Sequence, residues 1–175
     1  MNLSLLLVAV GCVIALAVQT HPAESFHSHS GKRTGSFRIE ASLDVAFPLF
    51  TPEGEKAWAA GWNPEYVFPR DGKTTQGMVF HTEHSGPKTW VMTLYDPEHH
   101  RAEYASFSSD LVIQISVACS SEGKSTVVEV SYRHTALTEN GNKLVDSYTQ
   151  ERHDQQMQHW KESIDEALRS GKVRG

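Results

Sequence analysis

The residue best placed for chemistry near neutral pH is His153, which falls within an apolar helical stripe. It recurs with Met157, Trp160 and Ile164 at spacings of three and four, a pattern that predicts one face of a helix. An imidazole on that face would point into the interior, where it could orient a ligand carbonyl or serve as a general acid or base. The alternative is a structural role, with the ring half-buried and bonded to a hydroxyl group of a sheet.

Two more histidines, His81 and His134, lie on predicted strands. Successive side chains of a strand point to opposite faces, and both faces of these strands carry apolar residues, so the pattern does not say which face is concave. If His81, His134 and His153 converged, they could hold a metal ion such as zinc. Our expectation is a protein without a metal or a cofactor.

No local motif identifies an activity. The chain contains no G-x-S-x-G, H-E-x-x-H, phosphate-loop or dinucleotide-binding pattern. Acid–base chemistry could still use polar groups of a cavity, and the sequence does not choose among four candidates: Tyr95, Tyr104, Tyr132 and Glu129.

Two tryptophans lie four positions apart in the segment FTPEGEKAWAAGWNP, residues 50–64. Thr51 can cap a short helix that ends before Pro64. If that helix extends far enough, Trp58 and Trp62 share one of its faces. Their large rings with a polar N–H suit either core packing or contact with a ligand.

The elements around these residues follow from hydrophobic periodicity. Alternation predicts one strand from Phe37 and six more after Pro64. A helix is predicted from about Lys143 to Ser170, because no Pro or Gly interrupts the stripe before Gly171. We therefore predict an α+β fold in which a curved antiparallel sheet of about seven strands surrounds a long C-terminal helix, with two short helices after the first strand. One helix cannot fill a wide concave sheet, so a cavity between them is expected.

Composition narrows the possible classes of function. The chain of 175 residues suggests one domain, and its formal charge of −5 without a Lys/Arg cluster argues against nucleic-acid binding. Cys119 is the one cysteine beyond the apolar N-terminal segment, which contains Cys12. A mature chain that retains only Cys119 forms no intrachain disulfide, and we expect Cys119 to be a buried, inert thiol.

The N-terminal region predicts export. Residues 1–20 contain no charged side chain, and their apolar run from Leu5 to Val18 is too short for a typical membrane span. The small-x-small pattern ALA at 15–17 is typical of a signal-peptide cleavage site. We predict a signal peptide over 1–20, with an uncleaved membrane anchor as the alternative. Residues 21–36 are polar and rich in Ser, Gly and His, which is typical of a flexible linker. The folded domain is then 37–171, in a periplasmic or secreted protein.

The order of elements and several motifs resemble the START-like (SRPBCC) superfamily, which includes polyketide cyclases/dehydrases and lipid-transport domains. The chain looks like a member of an uncharacterised bacterial branch with a GE..W..GW.P pattern. The resemblance covers about residues 37–170 and implies a helix-grip fold. Its most specific positions are Phe50, Pro52, Gly54, Glu55, Trp58, Gly61, Trp62 and Pro64, followed by GMVFHT at 77–82, STVVEVSYRHTAL at 125–137 and HW at 159–160.

This resemblance implies a hydrophobic or amphipathic small molecule as the partner, bound or transported in an internal cavity. A cyclase- or dehydratase-type enzyme with His153 as the catalytic acid/base is one alternative, and an interaction module with a filled cavity is another. Membrane contact is expected only through an uncleaved N-terminal anchor, and the oligomeric state stays open. The expected ligand contacts are Trp58, Trp62, Phe80, Trp90, Tyr104, Tyr132, His153, Met157 and Trp160.

Overall fold

The computed structural model describes residues 25–84 and 86–173, so the predicted leader over 1–20 lies outside the described residues. Seven antiparallel strands form one sheet in the order β1-β7-β6-β5-β4-β3-β2. The predicted α+β helix-grip architecture is confirmed. No helix of the described part is both long and apolar enough to cross a membrane. The strands are β1 (Ser30–Ile39), β2 (Glu65–Phe68), β3 (Val79–Thr82), β4 (Lys88–Asp96), β5 (Arg101–Phe107), β6 (Leu111–Glu122) and β7 (Ser125–Ala136).

Strand β1 begins seven residues before the predicted start of the domain. Residues 30–36, assigned from the sequence to the linker 21–36, pair with β7 from Ser30 opposite Thr135 onward. The backbone ladder does not require apolar side chains, and the outward positions of this edge strand are exposed. Packing explains the glycine at position 35, because a Cβ there would lie 3.0 Å from Met157 Cγ. The polar composition of this segment therefore reflects an edge strand covered closely by a helix.

Two helices replace the single helix predicted over 143–170. The first, α2, spans Glu139–Ser147, and the second, α3, spans Gln150–Arg169. The break lies at Tyr148, which has a non-helical backbone. Thr149 then caps α3, with its side chain accepting a hydrogen bond from the backbone N–H of Arg152. The break turns Tyr148 toward the interior, where its hydroxyl meets His153.

The short helical segment after β1 differs in detail from the prediction. It consists of a helical turn α1 (Leu43–Ala46) and two 3-10 turns, Phe47–Phe50 and Gly54–Ala57. The Thr51 hydroxyl accepts from the Gly54 backbone N–H at 3.1 Å and donates to the Pro48 carbonyl at 2.8 Å, so it caps the second 3-10 turn. That turn ends at Ala57. Trp58 and Trp62 therefore do not share the face of one helix.

The core lies between the concave face of the sheet, α3 and the short turns. Helix α3 packs chiefly against β1, at one side of the sheet. Its buried positions are His153, Met157, Ile164 and Ala167, which match the predicted stripe. Cys119 is buried on β6, and burial raises the pKa of its thiol to about 12, as expected for an inert thiol.

The Gly54→Ala substitution should destabilise the fold strongly. A Cβ at this position would lie 2.0 Å from the Pro48 carbonyl oxygen, which is backbone and cannot rotate away. We expect a loss of roughly 2 kcal/mol or more in the free energy of unfolding, measured by urea denaturation.

Gly123→Ala is the control for this substitution, since Gly123 has a φ of +68° and a Cβ added to it would meet no heavy atom within 4 Å. Its cost should be about 1 kcal/mol from backbone strain alone. Equal losses in the two variants would contradict a steric role for Gly54.

Candidate functional site

A cavity of about 270 Å³ lies within the grip of the sheet and α3. Strands β3 to β7 supply its floor, and the segment after the second 3-10 turn, with Tyr148 and α3, supplies its cover. Aromatic and aliphatic side chains dominate its surface. Its walls are formed by Glu55, Trp58, Ala59, Trp62, Phe80, His84, Lys88, Trp90, Tyr104, Ile113, Ile115, Val117, Tyr132, His134, Tyr148, Gln156 and Trp160.

The structure brings seven of the nine predicted ligand contacts to this cavity. They are Trp58, Trp62, Phe80, Trp90, Tyr104, Tyr132 and Trp160. The other two, His153 and Met157, are buried but do not line it. Both contact the backbone of β1 at Gly35, because the close docking of α3 directs this side of the helix toward β1. Gln156 and Trp160 occupy the side of α3 that faces the cavity.

His153 is held by hydrogen bonds to protein groups on both sides of its ring. Its Nε2 lies 3.2 Å from the Val130 carbonyl oxygen, and its Nδ1 lies 2.9 Å from the Tyr148 hydroxyl. A carbonyl oxygen only accepts, so Nε2 carries the proton and Nδ1 of the neutral ring accepts. Burial is the main cause that lowers the pKa of His153. The ring is therefore a neutral positioning group behind Tyr148, without contact to a molecule in the cavity.

Tyr148 connects this histidine to the cavity. Its hydroxyl has one proton, which either His153 Nδ1 at 2.9 Å or Gln156 Oε1 at 2.7 Å can accept, and Gln156 Nε2 donates to the Tyr132 hydroxyl at 3.2 Å. Burial raises the pKa of Tyr148 to about 12 and that of Tyr132 well above its ordinary value. Both phenols are therefore neutral hydrogen-bonding groups at one end of the cavity.

The three histidines considered as a metal site do not converge. His81 is exposed on the opposite face of the sheet, where its Nδ1 lies 3.1 Å from Thr89 Oγ1. His134 and His153 are buried on the inner side. Within residues 25–84 and 86–173, no group of three or more His, Cys, Asp or Glu side chains is arranged to hold a metal ion.

His134 belongs to the cavity wall. Its ring packs against Tyr148 with centroids 4.2 Å apart and against Tyr132 at 5.9 Å. Its Nδ1 is buried and has no hydrogen-bond partner among the described residues. Burial lowers the pKa of His134 to about 4, so the ring is neutral at pH 7. A polar atom in this position can bond to a ligand that enters the cavity.

Glu55 is the acidic group of the wall. Its backbone is fixed on both sides, since its N–H donates to the Thr51 carbonyl at 2.9 Å and its carbonyl accepts from Ala59 at 2.8 Å. The side chain is half-buried and faces the aromatic interior. Burial alone raises the pKa of Glu55 to about 8, so the carboxylic acid form prevails at pH 7.

A second polar group lies at the other end, near the hairpin between β3 and β4. Lys88 lines the cavity, and burial lowers the pKa of its amine. Its Nζ donates to the His84 carbonyl at 3.3 Å. The His84 ring contacts Trp62, with centroids 6.1 Å apart, and Trp62 contacts Trp90 at 5.5 Å. This cluster forms the end of the cavity away from Tyr148.

Several of these residues were not predicted as ligand contacts. Glu55 appeared only as part of the sequence motif, and Tyr148 was hidden within the predicted long helix. Gln156 lies in a polar stretch of the helix, next to Met157. Its spacing of four from Trp160 was the signal that could have placed it on the side of the helix that faces the cavity. Of the other acid–base candidates, Glu129 is exposed, and Tyr95 packs against Phe47 outside the cavity wall.

The low pKa of His134 should contribute a loss of stability in mild acid. The folded ring has a pKa of about 4 against an ordinary value of 6.5, so the unfolded chain binds a proton that the folded chain excludes. This contribution to stability is complete above the ordinary pKa and is lost as the pH falls toward 4. It should amount to about 1 to 2 kcal/mol between pH 7 and pH 5.

Urea denaturation at pH 5 and pH 7 measures this effect by comparison of variants. Glu55 acts in the opposite sense, because a raised carboxyl pKa lowers stability as the pH rises, and His153 acts in the same sense as His134. The change in unfolding free energy from pH 7 to pH 5 should therefore be more favourable in His134→Gln than in the wild type by about 1 to 2 kcal/mol. His81→Gln, at an exposed site, should keep the wild-type dependence. The same pH dependence in all three proteins would contradict the assignment to His134.

Comparison with known proteins supports the architecture. No family model and no curated protein sequence matches the chain. Norcoclaurine synthase from Thalictrum flavum, solved in complex with dopamine and hydroxybenzaldehyde, is 14% identical with a TM-score of 0.61, over 84% of this chain and 91% of that one. The major latex-like protein 151 of Panax ginseng is 16% identical with a TM-score of 0.58, over 78% and 95%.

A bacterial protein is similar to the same degree. Mll3558 from Rhizobium loti is 15% identical with a TM-score of 0.58, and the match covers 81% of this chain and 99% of that one. Such low identities establish the shared fold alone. The chain thus has the helix-grip fold of these plant and bacterial proteins, with a cavity at the position where the sheet meets α3.

Proposed function

We propose that this protein binds an amphipathic small molecule with an aromatic or otherwise apolar body in the cavity between the sheet and α3. The observation that supports this most directly is the cavity itself, about 270 Å³ in volume and walled largely by aromatic rings. An interaction module with a filled interior would have no such space. An apolar cavity of about 150 Å³ already accepts benzene, so one or two rings with substituents would fit here.

The polar groups of the wall favour an amphipathic ligand over a plain hydrocarbon. His134 has a buried ring nitrogen without a partner among the described residues, and Glu55 carries a carboxyl group that faces apolar surroundings. A ligand that bonds to these groups would remove the cost of leaving them unpaired. Tightly packed rings around a few polar groups are typical of small-molecule sites.

The structural comparison is consistent with this proposal. The norcoclaurine synthase structure contains two small aromatic molecules, dopamine and hydroxybenzaldehyde. The likeness is one of fold, so the ligand of the present protein must be identified from its own cavity. Transport of the bound molecule outside the cytoplasm is part of the proposal, supported by the leader pattern of residues 1–20.

Filling the cavity should abolish binding while the fold is retained. Ile113 lines the cavity on β6, whereas its neighbour Gln114 is exposed on the other face of the strand. All four tryptophans line the cavity, so the binding of a neutral aromatic probe such as 1-naphthol should change their fluorescence. Ile113→Phe should weaken this binding by about tenfold or more, because the added ring occupies the space of the probe.

Gln114→Phe places the same ring outside and should bind 1-naphthol like the wild type. Thermal unfolding checks that both variants are folded. Binding that is equally strong in Ile113→Phe, or absent from the folded wild type, would contradict the proposal. Solvent extraction of protein purified from its exporting host, followed by mass spectrometry, should then identify the class of the natural ligand.

A second candidate is an acid–base enzyme of the cyclase or dehydratase type. It is favoured by Glu55, a carboxylic acid that can donate a proton at neutral pH to a substrate in the cavity. In this version His153 is a positioning residue, which orients Tyr148 and does not touch the substrate. Turnover that is lost in Glu55→Gln, and that only shifts its pH profile in His153→Gln, would favour the enzyme over the binder.

A further inference from the structure

All the tryptophans of the chain surround one cavity. They are Trp58, Trp62, Trp90 and Trp160. Three of them bond their indole N–H to the protein itself, Trp58 to the Leu49 carbonyl at 2.8 Å, Trp62 to the Pro52 carbonyl at 2.8 Å and Trp90 to Thr82 Oγ1 at 2.9 Å. The polar edges of these rings are therefore occupied, and the cavity receives their π-systems. Tryptophan is the side chain whose ring face attracts cations most strongly.

One acidic side chain faces these rings. Among the described residues that form the wall, Glu55 is the sole acidic residue. It has no ion pair and no side-chain hydrogen bond within residues 25–84 and 86–173. Its backbone is held by hydrogen bonds to Thr51 and Ala59, so the side chain starts from a fixed position in the cavity wall. The structure thus keeps an uncompensated carboxyl group inside an aromatic enclosure.

We propose that the cavity selects a ligand with a positively charged nitrogen, which pairs with the Glu55 carboxylate while the aromatic rings enclose its apolar substituents. This inference rests on the proposed function, since it assigns a charge to the amphipathic ligand of the same cavity. A carboxylate surrounded by aromatic faces is complementary to a substituted ammonium group, because both the ion pair and the cation–π contacts favour positive charge.

The energetics of Glu55 follow from this assignment. Burial favours the protonated form of Glu55 when no cation is bound. A cation in contact with the carboxyl group would favour the carboxylate. A ligand with a fixed charge must therefore displace a proton from Glu55 at neutral pH. A neutral ligand that accepted a hydrogen bond from the carboxylic acid would displace no proton and would bind better at low pH. The sign of the pH dependence separates the two cases.

Other titratable groups around the cavity do not produce the rise in cation affinity with pH that is expected from Glu55. Tyr104 and Tyr132, whose pKa values are raised by burial and by the charge of Glu55, stay neutral. The pKa of His134 is lowered to about 4. Lys88 and His84 belong to the cluster around Trp62 and Trp90, at the end of the cavity away from Tyr148. A His81→Gln variant, at an exposed position on the opposite face of the sheet, should leave the pH dependence of cation binding unchanged.

The test uses the full chain and a pair of probes of the same shape. Benzyltrimethylammonium carries a permanent charge, and neopentylbenzene is its neutral counterpart with carbon in place of nitrogen. Calorimetry and tryptophan fluorescence measure both affinities between pH 6 and pH 9. Since the pKa of Glu55 is about 8, the affinity for the cation should rise about tenfold from pH 7 to pH 9, while that for neopentylbenzene stays constant.

Calorimetry in two buffers of different ionisation enthalpy supplies a readout that needs no variant. At pH 7 the wild type should release close to one proton for each benzyltrimethylammonium bound. Glu55→Gln should lose the proton release and the pH dependence, and should lower the affinity for the cation at pH 9 by tenfold or more. It should still bind neopentylbenzene. Glu53→Gln, the same substitution at an exposed position of the same segment, should behave like the wild type.

The possible failures are distinct. Binding of neopentylbenzene without preference for the cation, or cation binding that weakens as the pH rises, would overturn the inference and leave the proposed function intact. Cation binding that Glu55→Gln retains, pH dependence included, would overturn the role of Glu55. If the folded wild type bound neither probe, both the inference and the proposed function would fall.

Discussion

The close approach of α3 to β1 determines the shape of the interior. Gly35 has no side chain at the point of contact, so Met157 and His153 pack directly on the β1 backbone. The hydrogen bond from His153 to the Val130 carbonyl, at 3.2 Å, adds a polar tie to β7. Because these contacts hold the helix at one side of a seven-stranded sheet, the remaining concave surface is left without a helix to fill it. The cavity is the geometric consequence of that docking.

The cavity wall contains buried polar side chains that lower the stability of the fold, and the packing around them holds them in place. The turn at Thr51 holds the backbone of Glu55 beside an apolar space. Tyr132 and Tyr148 pack on His134, whose Nδ1 has no hydrogen-bond partner in the described part of the chain. A cavity filled by apolar side chains would be more stable. Buried groups with shifted pKa values that face a cavity are more typical of functional sites than of cores. This contrast is the physical argument for a ligand.

The sequence predicted much of the fold, because alternation in β3 to β7 and the stripe of α3 depend on burial, which side-chain type reflects. It missed the start of β1, since residues 30–36 owe their strand to backbone pairing and to the need for space at Gly35. It also missed the break before α3, because Tyr148 and Thr149 carry no Gly or Pro signal. Glu55 could not be assigned to the cavity, since periodicity does not set the direction of a side chain in a single turn.

The two tryptophans of the segment 50–64 show why core packing and ligand contact are not exclusive roles. Trp58 is 8% exposed and packs on Trp160 with ring centroids 5.2 Å apart, yet both rings also form the cavity wall. Trp62 bonds to the Pro52 carbonyl and at the same time contacts Trp90 across the cavity end. Each ring is fixed by the protein on one side and presented on the other. A wall built in this way is rigid before a ligand arrives, which reduces the entropy lost on binding.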